Sequence, residues 1–166
     1  MIFQNAVNAG SFIYCMIYQS PNEIGTYFND NNGHYHASLY VVDGTADVWL
    51  SDTDTPTDND KIESLEPGMF YDTSHTKGKY VTSKTGSTGV STVNFNPIPA
   101  NRLLNVEILK GSQTIEINYK TTIVCITGPI NVNGKELKST QYAKVFTNNT
   151  ATLTMEENTI CALVTE

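Results

Sequence analysis

Charge is scarce in this chain: only 16% of its 166 residues are Asp, Glu, Lys or Arg, and the acids prevail, leaving a net charge of -7. With a pI near 4.8, it presents no basic footprint for phosphate backbones or anionic lipid, so neither nucleic acid nor a membrane surface is expected as a partner. No apolar run approaches the roughly twenty residues of a membrane span. The opening Met1-Ile2-Phe3-Gln4-Asn5 has no basic segment ahead of an apolar core. No signal peptide is therefore expected, and the chain is placed in the cytoplasm, with a virion as the other location. The sequon opened by Asn148 is then an accident of composition.

Cysteine is also sparse, with no CxxC and no Cys/His ligand spacing. Cys15, Cys125 and Cys161 each lie in an apolar run, as in Ile123-Val124-Cys125-Ile126, which reads as three buried free thiols in a reducing compartment. Helical periodicity is missing almost everywhere. Short alternating runs recur instead between Gly, Asn and Asp turns, among them Ser91-Thr92-Val93-Asn94-Phe95 and Leu153-Thr154-Met155. The expected class is all-β, a sandwich or barrel. Thr, Asn and Ser together approach roughly a third of the chain, well above average usage, so the surface is neutral and hydrogen-bonding.

What is present is a repeat. Leu39-Tyr40-Val41-Val42-Asp43-Gly44 aligns without gaps on Ile123-Val124-Cys125-Ile126-Thr127-Gly128, an offset of 84 that also carries His34-Tyr35-His36 onto Asn118-Tyr119-Lys120. Further on, Leu65 and Phe70 match Leu137 and Tyr142 at an offset of 72, and Val81-Thr82 matches Leu153-Thr154 at the same offset. The shift places an insertion of about twelve residues between Ser51 and Ser64, in a polar hairpin loop where insertions are tolerated. The two prolines of Asn96-Pro97-Ile98-Pro99-Ala100-Asn101 mark the boundary between residues 1–97 and 98–166.

Several local patterns carry candidate chemistry. On a strand, His34 and His36 share one face and can hold a metal ion between them, while Tyr35 points to the opposite face. Asp52, Asp54, Asp58 and Asp60 bring hard oxygen ligands together, but the loop lacks the Gly and terminal Glu of an EF-hand and reads as a solvated hairpin tip. Thr85-Gly86-Ser87-Thr88-Gly89 lacks the Lys of a phosphate-binding loop, so Gly86 and Gly89 are read as turn residues. Trp49 and exposed tyrosines offer a stacking surface for sugars.

The His-x-His pair, the apolar strand after it, the turn at Asp43-Gly44, the strand through Val48-Trp49-Leu50 and the turn Leu65-Glu66-Pro67-Gly68 together resemble the cupin superfamily. The second half, with Thr127-Gly128, Val132-Asn133-Gly134-Lys135 and Leu137, looks like a degenerate copy. The resemblance implies two tandem cupin-like jelly-roll barrels in one compact chain, the first over 1–97 and the second, degenerate, over 98–166. It also implies a metal held by His34, His36 and a third histidine, for which His75 is the candidate. The carboxylate that the family adds falls on Tyr40 or Val41 counting from His36, or on Ala37 counting from Gly44, and none of these is an acid. In the second half the paired positions are Asn118 and Lys120, and a protonated Lys has no lone pair for a metal.

The incomplete ligand set and the neutral surface favour a non-catalytic structural module without a cofactor. Such a module would assemble as a homo-oligomer or with other structural proteins, as a capsid-decorating, neck or tail component of a virion. The alternative is a metal-dependent cupin enzyme, an oxygenase, isomerase or lyase acting on a small polar molecule. One divalent transition metal on His34, His36 and His75 would serve it, with Tyr40 as general acid or orienting hydroxyl.

Overall fold

Residues 2–3, 6–29, 38–51, 55, 57–72, 80–98, 102, 104–146 and 148–165 are described by the computed structural model. The chain divides into a first unit, Met1–Leu103, and a second, Leu104–Glu166. Apart from one short 3-10 turn at Asp58–Asp60, the regular elements among the described residues are all strands. No helix there is long and apolar enough to cross a membrane.

The first unit contains β1 (Ile2–Phe3), β2 (Val7–Asn8), β3 (Phe12–Gln19), β4 (Ile24–Asn29), β5 (Ser38–Ser51), β6 (Lys61–Leu65), β7 (Phe70–Asp72) and β8 (Tyr80–Pro97). Its two long strands, β5 and β8, run antiparallel along their whole length and belong to two layers. In one layer the order is β7-β5-β8-β3, and in the other it is β4-β8-β5-β6. Between the layers lies an apolar interior that includes Cys15, Ile17, Leu39, Val41, Val48 and Leu65.

The second unit contains β9 (Asn105–Lys110), β10 (Gln113–Ile117), β11 (Thr121–Thr127), β12 (Ile130–Val132), β13 (Lys135–Leu137), β14 (Tyr142–Lys144), β15 (Ala151–Met155) and β16 (Ile160–Thr165). Its sheets are ordered β14-β11-β16-β9 and β10-β15-β12-β13. Apart from β1 and β2, which pair with β3 and have no counterpart, this is the topology of the first unit, with β11 and β12 in place of β5 and β15 and β16 in place of β8. The sequence accounts for the one-sided strands: β15 (Ala-Thr-Leu-Thr-Met) alternates buried and open positions, as a strand with one face on a core does. By contrast, β11 is buried at Thr121–Ile126 without alternation, as a strand covered on both faces must be.

The pairing ladders record the repeat. Ala46 opposes Leu65 as Ile130 opposes Leu137, and Tyr40 opposes Phe70 as Val124 opposes Tyr142, which are the offsets of 84 and 72 read from the sequence. The third match fails by two residues. Val132 opposes Leu153, and its counterpart Val48 opposes Ser83, so Ser83 rather than Val81 corresponds to Leu153. Side chains on a strand repeat every two residues, so a slip of two keeps the pattern intact and cannot be seen in it.

Two expected turns are absent. Asp43 and Gly44 lie inside β5, between two bulges, and Gly86 and Gly89 lie inside β8. The ladder between these strands continues past both points, so the chain bends from one layer to the other and does not reverse. The insertion does fall in the β5–β6 hairpin, as expected. There the Asp60 carboxylate accepts from the Thr57 amide at 3.1 Å and the Thr57 hydroxyl at 3.0 Å, a local turn-closing pattern. Asp52 and Asp54 lie outside the described residues.

Candidate functional site

All three cysteines are free and buried, as their apolar surroundings implied. Burial pushes the Cys125 thiol up to about 11 and the Cys161 thiol up to about 12, and raises Cys15 as well. All three are therefore neutral and poorly nucleophilic near pH 8. A disulfide reagent at that pH should leave Cys125 and Cys161 unmodified in the native protein and titrate all three thiols once guanidinium unfolds it. Rapid labelling of either residue in the native protein would contradict their burial.

The register decides which side chains enter the interior of the first unit. In β8, Asn94 stands opposite both Leu39 and Cys15, and Thr92 stands opposite both Val41 and Ile17. Directly opposed residues share a face, and these four neighbours all belong to the interior cluster. Thr92 and Asn94 therefore point into a mainly apolar space. They are 1% and 3% exposed, and neither Thr92 Oγ1 nor Asn94 Oδ1 has a hydrogen-bond partner. An orphaned buried polar atom costs about 1–3 kcal/mol. Two at successive positions on one strand face form a pattern that folding alone does not reward.

Other polar groups facing this interior are satisfied. Gln19 and Ser83 are fully buried; Gln19 Nε2 donates to the carbonyls of Glu23 at 2.8 Å and Ser83 at 3.1 Å, and Ser83 Oγ donates to Gln19 Oε1 at 2.6 Å. Thr85 Oγ1 donates to the Ser20 carbonyl at 2.6 Å, tying the β3–β4 turn to β8. That end of the interior is closed by a complete network, while Thr92 and Asn94 are left open. A third orphan, Trp49 Nε1, lies on the opposite side of β5 from Val48 and so outside this space.

The second unit answers the same positions differently. Ile123 and Cys125 correspond to Leu39 and Val41, and they oppose Leu163 and Cys161 where the first unit has Asn94 and Thr92. Cys161 and Leu163 join an apolar core with Ile117, Leu153 and Met155. No buried side-chain polar atom among the described residues of this unit lacks a partner. The corresponding positions carry hydrocarbon and sulfur in one unit and two unpartnered polar groups in the other.

Several expected site residues change place. Tyr40 opposes Val93 and sits on the other face of β5 from Leu39 and Val41, so its hydroxyl cannot serve chemistry in the interior. Trp49 is only 6% exposed and offers no stacking surface for sugars. His34, His36 and His75 lie outside the described residues, as does Tyr35. Among the described residues no group of three His, Cys, Asp or Glu could hold a metal ion. Neutral amide and hydroxyl oxygens are poor ligands for transition ions, and the Cys15 thiol is protonated, so the described part of the interior suits a polar organic group better than a metal. Thr92 and Asn94 went unnoticed in the sequence because Ser91-Thr92-Val93-Asn94-Phe95 has the alternation of a strand with one wet face. Alignment of that segment on Cys161-Ala162-Leu163 would have revealed them.

No family profile matches the chain, and no curated protein matches it significantly. Solved structures do. A cupin 2 conserved barrel domain protein from Leptotrichia buccalis superposes with a TM-score of 0.56 at 11% identity over 99% of this chain and 88% of its own. YhhW from Escherichia coli gives 0.63 at 10% identity over 97% and 93%. A salicylate 1,2-dioxygenase from Pseudaminobacter salicylatoxidans gives 0.60 at 10% identity over 93% and 70%. Likeness at this level of identity establishes the fold. It also overturns the expectation of a non-catalytic virion component: one of these neighbours is a cupin barrel protein and another is a dioxygenase, and none of the three is named as a capsid, neck or tail protein. The neutral, Thr-rich composition behind that expectation describes a surface and is silent about the interior.

Proposed function

We propose that this cupin-fold chain is a metal-dependent enzyme, an oxygenase, isomerase or lyase, that converts a small polar molecule inside its first barrel. The observation that carries the small-molecule part of this reading is the pair of unpartnered, buried oxygens on Thr92 and Asn94 in the interior of the first barrel. Enclosed, mainly apolar sites with a few convergent polar groups are where small molecules bind. The metal is one divalent transition ion, with His34, His36 and His75 as its proposed ligands. When bound, such an ion supplies Lewis-acid polarisation of a substrate oxygen. Thr92 and Asn94 orient the substrate, and the surrounding Leu39, Val41 and Ile17 exclude water. The three free thiols favour a reducing, cytoplasmic setting.

Elemental analysis of protein purified without chelators tests the reading. About one transition ion per chain is expected, and His34→Ala should lose it while keeping a cooperative unfolding transition. Wild-type protein that is free of metal, and stays so after incubation with Fe²⁺, Ni²⁺ or Zn²⁺, would refute it.

A further inference from the structure

We infer that the first barrel selects an uncharged ligand, a compact molecule whose amide or hydroxyl hydrogens are received by Asn94 Oδ1 and Thr92 Oγ1. The inference rests on the reading of the first barrel as the working site and names the chemical class that this site takes. Three observations carry it. First, the two orphaned atoms define the hydrogen bonds on offer: an amide oxygen only accepts, and a hydroxyl accepts two bonds and donates one. A ligand that meets both must bring at least one N–H or O–H. A carboxylate can only accept, so it would leave Asn94 Oδ1 unmet and place negative charge beside it.

Second, none of the buried residues among those described is charged. A buried anion or cation without a counter-charge loses far more in desolvation than a neutral group does. Apart from the proposed metal, which would be the only counter-charge, Thr92 and Asn94 meet an ion with neutral atoms only, and the cluster around them is hydrocarbon and thiol.

Third, the spacing sets the size. Residues two apart on one strand lie about 7 Å apart at their Cα atoms, a span suited to a molecule of a few heavy atoms with polar groups at its two ends. The alternative occupant is ordered water, which also meets orphaned polar atoms in proteins.

Saturation-transfer NMR on the full chain as purified, with its metal content measured on the same sample, separates these possibilities. The probes are two matched pairs: malonamide against malonate, and propionamide against propionate. The amides are expected to bind and the acids to bind at least about tenfold more weakly. The Thr92→Val, Asn94→Leu double variant, which keeps the shape of both side chains, should weaken amide binding by about tenfold or more; Thr92→Val alone serves if the double variant does not fold. Acids that bind as well as the amides, amide binding unchanged in the variants, or no binding by any probe would each overturn the inference. Amide preference in a metal-free sample would uphold it and sink the metal assignment. Acid preference in a metal-loaded sample would do the reverse.

Discussion

Gly44→Ala is expected to destabilise the first unit by about 3 kcal/mol or more, enough to leave it largely unfolded in mild denaturant. Gly44 has φ +82°, a conformation that costs an L-residue roughly 1 kcal/mol. Crowding costs more. A Cβ there would overlap the Gly89 carbonyl oxygen and lie 2.8 Å from the Gly89 carbonyl carbon and 2.9 Å from Val90 Cα. All three are backbone atoms of the partner strand, and they cannot move without breaking the ladder that holds β5 to β8. These two strands carry both layers of the unit, so the damage is not local. Guanidinium titration followed by circular dichroism measures it, and a loss below about 1 kcal/mol would mean that the two strands do not approach each other as described.

Leu163→Asn is the second large effect, at about 3 kcal/mol of lost stability. It installs in the second barrel the residue that the first barrel carries at the same place. The substitution removes hydrocarbon from a core containing Ile123, Cys125 and Leu153, at a position that stands opposite Glu107. Because the two units share a topology, the comparison isolates the question of purpose. The same side chain at the same position should be costly in a unit that provides a leucine there and tolerated in the unit that carries it natively. The same guanidinium titration reads the loss, and a Leu163→Asn protein as stable as the wild type would mean that the second barrel is not packed as a core.

How much of this was legible in the sequence follows from what strand periodicity can encode. The jelly-roll class, the repeat, the β13 and β14 registers and the site of the insertion were all readable, because each depends on apolar residues recurring at fixed offsets, such as Leu65 with Leu137. The bend at Gly44 was not. Asp-Gly has the same composition in a hairpin and in a bulge, and only the length of the partner strand β8 decides between them. Tyr40 was misplaced for a related reason: the whole segment Ser38–Val41 is buried, so hydrophobicity gives no sign of which alternate residues face the interior. The virion assignment failed because it was argued from surface composition, whereas the discriminating residues, Thr92 and Asn94, are inside. Their signal is a contrast between two halves of one chain.

The central claim is that Asn94 is kept for a ligand and not for the fold. Denaturant unfolding of Asn94→Leu tests it most directly, since leucine has the branching of asparagine and no polar atom to satisfy. The mutant is expected to be as stable as the wild type or more stable by about 1 kcal/mol. A loss of about 2 kcal/mol or more would show that the amide is part of the structural core, and the account of the first barrel as the working one would fall with it.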